Sequence, residues 1–346
     1  MTYFHLFYSA ADYYGHIYRE YRFVKHYLEP LVSELCTKLQ YDLNAAEKKK
    51  VFRYYPLLTV CALAENYTLL KGRALTIKER KRITLMSAMA TLCDDLIDEE
   101  GWTADQLADL FDILHSKLPY DTLSPKAKLI AAMNEEFKKL NIPGKYWHQL
   151  KKAFKGQADS IRQHQTSLSL EETIDIAREK NGNYCLTVST LIDEAWTETE
   201  ISIIYQHGMM GQLTNDIYDT YKDTQEGINT IVKKVDNVDH LRRIFMNEVR
   251  RMQDMILSLT ISSKQKKKIL SRYACMDAFT MIGIDTIAAA EHKYGLPMKW
   301  MEITRKDLVP DMARFINRKK YFKYVVWLSN LPFKSDRQSY PIKNRQ

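Results

Sequence analysis

The sequence contains few of the residues that interrupt helices. Only 11 glycines and 9 prolines occur among 346 residues, and no proline lies between Pro143 and Pro297. Proline removes a backbone donor and clashes with the preceding turn, so its scarcity allows long uninterrupted helices. No stretch alternates apolar and polar residues with the period of a strand. These features predict an all-α fold.

Patterns that would indicate zinc, disulfides or a membrane span are also missing. The histidines form no HExxH group, and the five cysteines are widely spaced with no CxxC pair: Cys36, Cys61, Cys93, Cys185 and Cys275. A reducing compartment therefore fits best. The N-terminus lacks the basic start and apolar core of a signal peptide. The longest apolar run, YYPLLTVCALA, is too short to span a bilayer. We expect a cytoplasmic protein.

The charge is basic but scattered. Lys and Arg number 51 against 43 acidic residues, which gives a net charge of +8. This balance suits an anionic substrate and is compatible with peripheral contact with an acidic membrane surface. It does not favour nucleic acid, because no basic patch is interleaved with aromatic residues.

Helix starts are marked by capping boxes, in which a polar residue is followed three residues later by Glu or Gln, as in Thr76 with Glu79. The predicted helices lie near 16–39, 45–70 (perturbed at Pro56), 77–99, 104–117, 125–140, 145–166, 170–195, 199–224, 236–259, 263–293 and 299–329. No linker or composition break interrupts them, so we predict one domain over 1–330. Residues 331–346 form a basic, polar tail that we expect to be flexible.

The most informative feature present is a pair of acid-rich clusters. The first is LCDDLIDEE, with Asp94, Asp95 and Asp98. Residues four apart share a helix face, so Asp94 aligns with Asp98. The preceding LMSAMATLC is apolar or small almost throughout, which predicts that the helix is buried where its carboxylates begin.

The second cluster, NDIYDTYKD, follows the equally apolar GMMGQLT. Here Asn215, Asp219 and Asp223 share one helix face. A solvated helix face would explain either acidic run alone. Two clusters on buried helices are better explained by cations, because crowded buried charges are costly without a counter-ion. Mg²⁺ is usually held by a few carboxylates and substrate phosphates. We also expect repulsion among Asp216, Asp219 and Asp223 to raise their pKa values in the metal-free protein.

NDIYDTYKD resembles the second metal motif of class I terpene synthases, and DDLID resembles the aspartate-rich motif of the same superfamily. The resemblance implies an all-α, single-domain bundle of the class I isoprenoid synthase type, with about 10–12 helices around a central cavity. It further implies a cluster of three Mg²⁺ ions, for which Mn²⁺ can substitute. The implied metal ligands are Asp94, Asp98, Asn215, Asp219 and Asp223. Asp219 and Asp223 depart from the motif, which usually has Ser or Thr and Glu there.

The resemblance also implies residues that contact the diphosphate. Lys222 falls on the diphosphate-contacting lysine of the second motif. In AREKNGNYC, Arg178, Asn181 and Gly182 resemble the sensing arginine, linker and effector at a helix break, and Lys180 adds charge. An ordinary turn with a surface arginine is the alternative for this segment.

Arg272-Tyr273 resembles the late Arg-Tyr pair of the family and is a predicted substrate contact, although an ordinary helix surface also explains it. The predicted catalytic residues are Asp94, Asp95, Asp98, Arg178 and Lys222.

The implied activity is that of a carbon–oxygen lyase acting on phosphates. It would ionise a linear prenyl diphosphate, cyclise or rearrange the allylic carbocation to a terpene, and release diphosphate. One alternative is a prenyl-diphosphate transferase, either head-to-head or chain-elongating, although LLKGRAL is at best a remnant of the Gly-Gly-Lys-Arg segment of elongating enzymes. Another is a non-enzymatic helical scaffold or lipid-binding protein. Substrate chain length, product and the choice between monomer and homodimer stay open.

Overall fold

The computed structural model describes residues 15–116 and 123–333. Every regular element in these residues is a helix, which confirms the all-α prediction. None of the described helices combines the length and apolar content needed to cross a bilayer. The flexible tail predicted over 331–346 begins too early, because Leu331–Phe333 form a 3-10 turn in which Leu331 and Pro332 are buried. The rest of the predicted tail, from 334 onward, lies outside the described residues.

The described chain divides into two compact units. The N-terminal unit comprises residues 15–159 and Asn183–Trp196, and the C-terminal unit comprises Ser160–Gly182 and residues 197–333. The single domain over 1–330 stays a prediction.

The N-terminal unit begins with two helical runs that contain wider π turns. The first run is α1 (15–23), a π turn at Val24–Leu28 and α2 (Glu29–Leu39). The second is α3 (Ala45–Lys49), a π turn at Lys50–Tyr54, α4 (Tyr55–Leu58), a π turn at Thr59–Ala64 and α5 (Glu65–Leu70). Pro56 lacks an N–H, and the Tyr55 N–H just before it bonds to the Lys50 carbonyl, one residue further back than in an α-helix. The predicted perturbation at Pro56 is thus confirmed.

The next helix, α6 (Ile77–Asp98), forms the centre of the N-terminal unit. It packs against α8 (Pro125–Lys138), α4 and the π turns, while α7 (Ala104–Ser116) also packs on α8. From Arg82 to Leu92 nearly every side chain of α6 is buried. The prediction that this helix is buried ahead of Asp94 is therefore confirmed. The following helix is α9 (Gly144–Ser160).

The C-terminal unit is organised around two long helices that run side by side. Its elements are α10 (Leu170–Thr190, in this unit through Gly182), α11 (Glu198–Tyr218), α12 (Thr220–Gln225), α13 (Ile231–Lys234), α14 (Val238–Ser258), α15 (Ser263–Tyr294), α16 (Arg305–Leu308) and α17 (Phe315–Asn330). The rings of His207 and Tyr273 lie 4.7 Å apart, and the hydroxyls of Thr214 and Thr280 lie 2.7 Å apart. These contacts advance by seven residues on both helices, so α11 and α15 point in the same direction.

Two sequence predictions about these helices are wrong. The predicted helix over 299–329 is replaced by a 3-10 turn at Trp300–Glu302, by α16, and by α17, which begins only at Phe315. Pro310 explains the interruption, because proline disfavours helical backbone in the residue before it, and Val309 is extended with φ −107° and ψ 118°.

The helix break expected at Gly182 is absent, since α10 is continuous from Leu170 to Thr190. A Cβ added at Gly182 would lie 2.5 Å from Cε2 of Tyr205 on α11, and one added at Gly208 would collide with the Asn181 carbonyl. The glycine is therefore needed for a close helix crossing rather than for a break.

The start of α6 depends on one buried carboxylate. Glu79 accepts hydrogen bonds from the Arg73 guanidinium at 2.6 and 2.9 Å and from the backbone N–H groups of Thr76 and Asp193, both at 2.8 Å. Burial alone would raise the pKa of Glu79, but these donors together lower it to about 2. The fold therefore favours the ionised form. Its stabilisation is present above the ordinary pKa of 4.5 and is lost as pH falls through about 2.

We predict that Glu79→Gln lowers the free energy of unfolding by about 3 kcal/mol at pH 7, the scale of breaking a buried ion pair. The difference from wild type should narrow between about pH 4.5 and 2, because the Glu79 carboxylate of the unfolded chain takes up a proton below about 4.5 while that of the folded protein stays ionised down to about 2. Urea unfolding at several pH values measures both effects.

Glu172→Gln is the matched control, because Glu172 closes an equivalent capping box with Ser169 at the surface. Its loss of stability should be much smaller, because the Ser169 hydrogen bonds that lower the pKa of Glu172 are exposed to water. Equal losses in the two variants would contradict the role of the buried network.

Candidate metal and diphosphate site

The second acidic motif lies where α11 passes into α12, in the C-terminal unit. Asp219 joins the two helices with φ −94° and ψ 5°. Its N–H bonds to the Asn215 carbonyl, and the Asp223 N–H bonds to the Asp219 carbonyl, both at 2.8 Å. The four-residue spacing is thus kept through the junction, and the Asn215 side chain hydrogen-bonds to Asp219. The predicted face of Asn215, Asp219 and Asp223 is present.

A fourth residue, Asp216, belongs to the same cluster. Its side chain is 1% exposed. One carboxylate oxygen accepts a hydrogen bond from Gln212 Nε2 at 2.8 Å, and the Ile231 backbone N–H also lowers the pKa of this carboxyl. The second oxygen is buried and has no partner within ordinary hydrogen-bond distance. Asp216 is close enough to Asp223 for its negative charge to raise the pKa of that residue. A buried, unsatisfied carboxylate oxygen is costly, so this atom suits a cation or a bound donor.

The pKa of each of the three aspartates is raised above its ordinary value of 3.8. Burial is the largest cause in each case, and it raises the pKa of Asp216 to about 6 despite the Gln212 hydrogen bond and the positive charge of Lys180. Burial and then repulsion from Asp216 and Asp219 raise the pKa of Asp223 to about 8. Burial also raises the pKa of Asp219. The expected direction is confirmed, although desolvation outweighs the predicted repulsion.

This cluster lacks a basic partner. Within 15–116 and 123–333, no Lys, Arg or His lies at ion-pair distance from the carboxylates of Asp216, Asp219 or Asp223. The exposed Lys222 ammonium instead lies 3.7 Å from Glu226. Oxygen donors with uncompensated negative charge are the ligands that Mg²⁺ prefers. The residues present therefore fit the implied metal.

The first acidic motif, in the N-terminal unit, has a different environment. Asp95 is buried and accepts a hydrogen bond from Lys50 of the π turn. Burial raises the pKa of Asp95, and Lys50 opposes that shift. Glu99 is bound by Lys50 at 3.3 Å and by Lys126 at 3.1 Å.

Glu47, Asp95 and Glu99 could together offer three oxygens within 4.8 Å of one another. Lys126 is also 3.1 Å from Glu47, so the two lysines already neutralise this group. We interpret these carboxylates as a structural ion-pair network. To act as the predicted catalytic residue, Asp95 would have to give up its hydrogen bond from Lys50.

Asp94 has different neighbours from Asp95. Its negative charge contributes to raising the pKa of both Cys93 and Tyr184, after burial as the main cause. Tyr184 reaches a pKa of about 12, and its hydroxyl lies 3.0 Å from Thr59 Oγ1. Asp94 therefore lies close to a half-buried tyrosine and a half-buried cysteine. The side chain of Asp98 lies outside what the structure describes.

The Arg178 segment is arranged around an ion pair. Arg178 lies 3.2 Å from Glu248 of α14, which also accepts a 2.5 Å hydrogen bond from Gln206. Lys180, two residues on, acts electrostatically on Asp216. Of the two cations, Lys180 is thus the one associated with the acidic cluster.

The other predicted substrate contacts lie further from the second motif. Asn181 and Gly182 form the close crossing of α10 with α11. Tyr273 is buried against the His207 ring, so the Arg272-Tyr273 pair lies level with His207 on α11. Asn215 is eight residues further along α11, about 12 Å at the helical rise. The structure does not bring this pair level with the motif.

Sequence reasoning missed the partners of the first motif and the depth of Asp216. The second motif contains Asp216, but only its near-complete burial distinguishes it from a surface acid. Lys50 and Lys126 carry no local signal, because they meet Asp95 and Glu99 only through the fold.

Comparison of the chain with protein-family models, with curated proteins and with solved structures found no match. The resemblance to class I terpene synthases therefore rests on the motif residues.

We predict that Asp223→Asn raises the stability of the metal-free protein at pH 7 on the order of 1–3 kcal/mol. Because the pKa of Asp223 is raised to about 8, the folded protein must hold this carboxyl protonated at pH 7, and an amide carries no such cost. It should also reduce the rise in melting temperature on adding Mg²⁺ with diphosphate, since a ligand stabilises the fold according to its affinity. Calorimetric scans in chelator and in Mg²⁺ measure both.

Glu226→Gln is the control, because it removes one negative charge at the surface, about one helical turn after Asp223. It should leave both quantities near wild type. If Asp223→Asn behaved like this control, Asp223 would not belong to a cation site.

Proposed function

We propose that the chain is a Mg²⁺-dependent class I terpene synthase that ionises a linear prenyl diphosphate. The observation that carries this proposal is the set of aspartates at the α11–α12 junction. Asp216 and Asp223 are buried and Asp219 is half-buried, and none of the three lies at ion-pair distance from a basic side chain among the described residues. Asn215, in the same helix region, is exposed. Such an arrangement is costly in a purely structural site. A counter-cation would offset that cost.

Asn215, Asp219 and Asp223 would hold Mg²⁺ at the second motif, in the C-terminal unit. The resemblance implies Asp94 and Asp98 as the metal ligands of the first motif, in the N-terminal unit. Bound Mg²⁺, or Mn²⁺ in its place, supplies Lewis-acid stabilisation of the departing diphosphate. The unsatisfied oxygen of Asp216 adds to the negative potential of the site.

The basic residues next to the second motif would bind phosphate oxygens. Lys222 is exposed and adjacent to Asp223, and Lys180 acts on Asp216. Charge-assisted hydrogen bonds from ammonium groups are well suited to this role. Arg178 would have to exchange its ion pair with Glu248 to contribute in the same way.

Each motif has a tyrosine close to it whose ring could stabilise an allylic carbocation. Tyr184 is half-buried near Asp94 in the N-terminal unit. In the C-terminal unit, Tyr218 precedes Asp219 and its hydroxyl donates to the Phe279 carbonyl at 3.1 Å. Ring faces stabilise cations, and apolar surroundings exclude the water that would quench them. The product skeleton depends on the cavity shape.

We predict that incubation with Mg²⁺ and C10, C15, C20 or C25 prenyl diphosphates yields a terpene from one of them. Asn215→Ala and Asp94→Ala should each lower turnover by at least about 100-fold, the scale of losing preorganised charge stabilisation. Mass spectrometry of the extracts identifies the product, and release of diphosphate gives the rate.

Glu226→Gln should keep near-normal turnover in the same assay. A product that joins two prenyl units would instead support a head-to-head or chain-elongating transferase. Full turnover by Asn215→Ala at saturating Mg²⁺ would contradict the metal assignment.

We further predict that Lys222→Ala weakens binding of inorganic diphosphate, in the presence of Mg²⁺, by about 10-fold, the loss of one charge-assisted hydrogen bond. Its stability should stay within about 0.5 kcal/mol of wild type, because the side chain is exposed. Calorimetric titration and thermal melts measure the two effects.

Lys155→Ala, an exposed lysine on α9 in the N-terminal unit, is the control for a general change of charge. A destabilised Lys222→Ala variant with unchanged diphosphate affinity would mark Lys222 as a structural partner of Glu226.

A further inference from the structure

The outer face of α17 combines exposed apolar side chains with basic ones. Phe315 is 80% exposed, Ile316 51% and Phe322 43%. Exposed Arg318, Lys319 and Lys323 lie between them. At 100° per residue all six project within about half of the helix circumference. We call these six residues the α17 face.

The charge of this region has one sign. Helix α17 contains no acidic residue. Over 305–323 the sequence has seven basic residues against two acidic ones. The exposed positions of α14 in the same unit differ, because Asp239, Arg243, Asn247, Arg251 and Asp254 mix both signs and include no apolar residue. That mixture is typical of a helix face in water, and the α17 face lacks it.

The α17 face belongs to a well-packed helix. On the inner side, Asp285 of α15 accepts hydrogen bonds from Tyr324 at 2.7 Å and Lys320 at 3.1 Å. The Tyr321 ring stacks 4.6 Å from that of Phe279. In the first turn of α17, Asn317 Nδ2 donates a hydrogen bond at 2.8 Å to the carbonyl of Asp311, which precedes the helix. The outward rings of Phe315 and Phe322 are therefore held in place by the packing of their own helix.

We propose that the α17 face docks on the surface of an anionic lipid bilayer. Aromatic and aliphatic side chains enter the boundary between headgroups and acyl chains, while Lys and Arg beside them bind anionic headgroups. A nucleic acid would pair with the basic side chains of the α17 face but leave Phe315, Ile316 and Phe322 in water. A second copy of the chain would bring two positive faces together, which like-charge repulsion disfavours. This inference is independent of the proposed enzymatic activity.

The test measures flotation of the full chain with two kinds of vesicle. One kind is phosphatidylcholine alone, and the other contains in addition about 30% phosphatidylserine, which gives a negative surface potential. Binding is expected only to the anionic vesicles. It should weaken between about 0.1 and 0.5 M salt, because salt screens the headgroup charges.

Two double variants separate the charged and the apolar contributions. Each basic residue near an anionic surface contributes roughly fivefold to partitioning, so Lys319→Glu with Lys323→Glu should reduce binding by more than about 10-fold. Phe315→Ser with Phe322→Ser should reduce it by a similar factor through lost apolar burial. Thermal melts like those of wild type would show that both variants are folded.

Matched controls come from the N-terminal unit. Lys152→Glu with Lys155→Glu makes the same charge change on exposed residues of α9. Ile77→Ser removes an apolar side chain that is 63% exposed at the first residue of α6, as Phe315 is at the first residue of α17. Both controls should bind anionic vesicles like wild type.

Three outcomes would overturn the proposal. The first is no binding of wild type to anionic vesicles, and the second is equal loss in the α17 variants and the controls. The third is a concentration-dependent dimer, seen by light scattering without vesicle binding, that Phe315→Ser with Phe322→Ser abolishes. That last result would assign the α17 face to a second copy of the chain.

Discussion

The burial of carboxylates is the physical constraint that distinguishes the parts of this molecule. A buried carboxylate must be neutralised by a proton, a basic side chain or a cation. Glu79 meets this requirement with Arg73 and two backbone N–H groups, and its pKa falls to about 2. Asp223 has no such partner among the described residues, and its pKa rises to about 8. The first arrangement stabilises a helix start, and the second leaves a site with unmet affinity for positive charge.

The two acidic motifs resemble each other in sequence, but their carboxylates differ in how far basic side chains neutralise them. Asp95 and Glu99 are bound by Lys50 and Lys126, so much of the first motif is already neutralised. Asp94, on the same helix, lies instead beside Tyr184 and Cys93. The two adjacent aspartates of one motif thus have different neighbours. At the second motif, Asn215, Asp216, Asp219 and Asp223 act together.

The helices that carry the second motif are positioned by small and polar contacts. Gly182 and Gly208 let α10 cross α11 closely, and this crossing brings Lys180 toward Asp216. On the other side, the Thr214–Thr280 and His207–Tyr273 contacts fix α11 against α15. Helix α15 in turn holds the inner side of α17 through Asp285. The outer side of α17 is left with apolar and basic residues.

The sequence alone determined the helical class, because scarce proline, clear capping boxes and helical periodicity are local properties. It also determined that Asn215, Asp219 and Asp223 share a face, since that follows from helical spacing. Its prediction of a helix break at Gly182 is wrong, because a glycine required by tertiary packing has no local signature. Its prediction of a helix through Pro310 is wrong because proline disfavours helical backbone in the residue before it. Only the tertiary structure decided which carboxylates are compensated. Lys50 and Lys126 reach the first motif from distant positions in the chain, whereas among the described residues no lysine lies at ion-pair distance from Asp223. The charge balance of each motif therefore depends on the packing of separate helices.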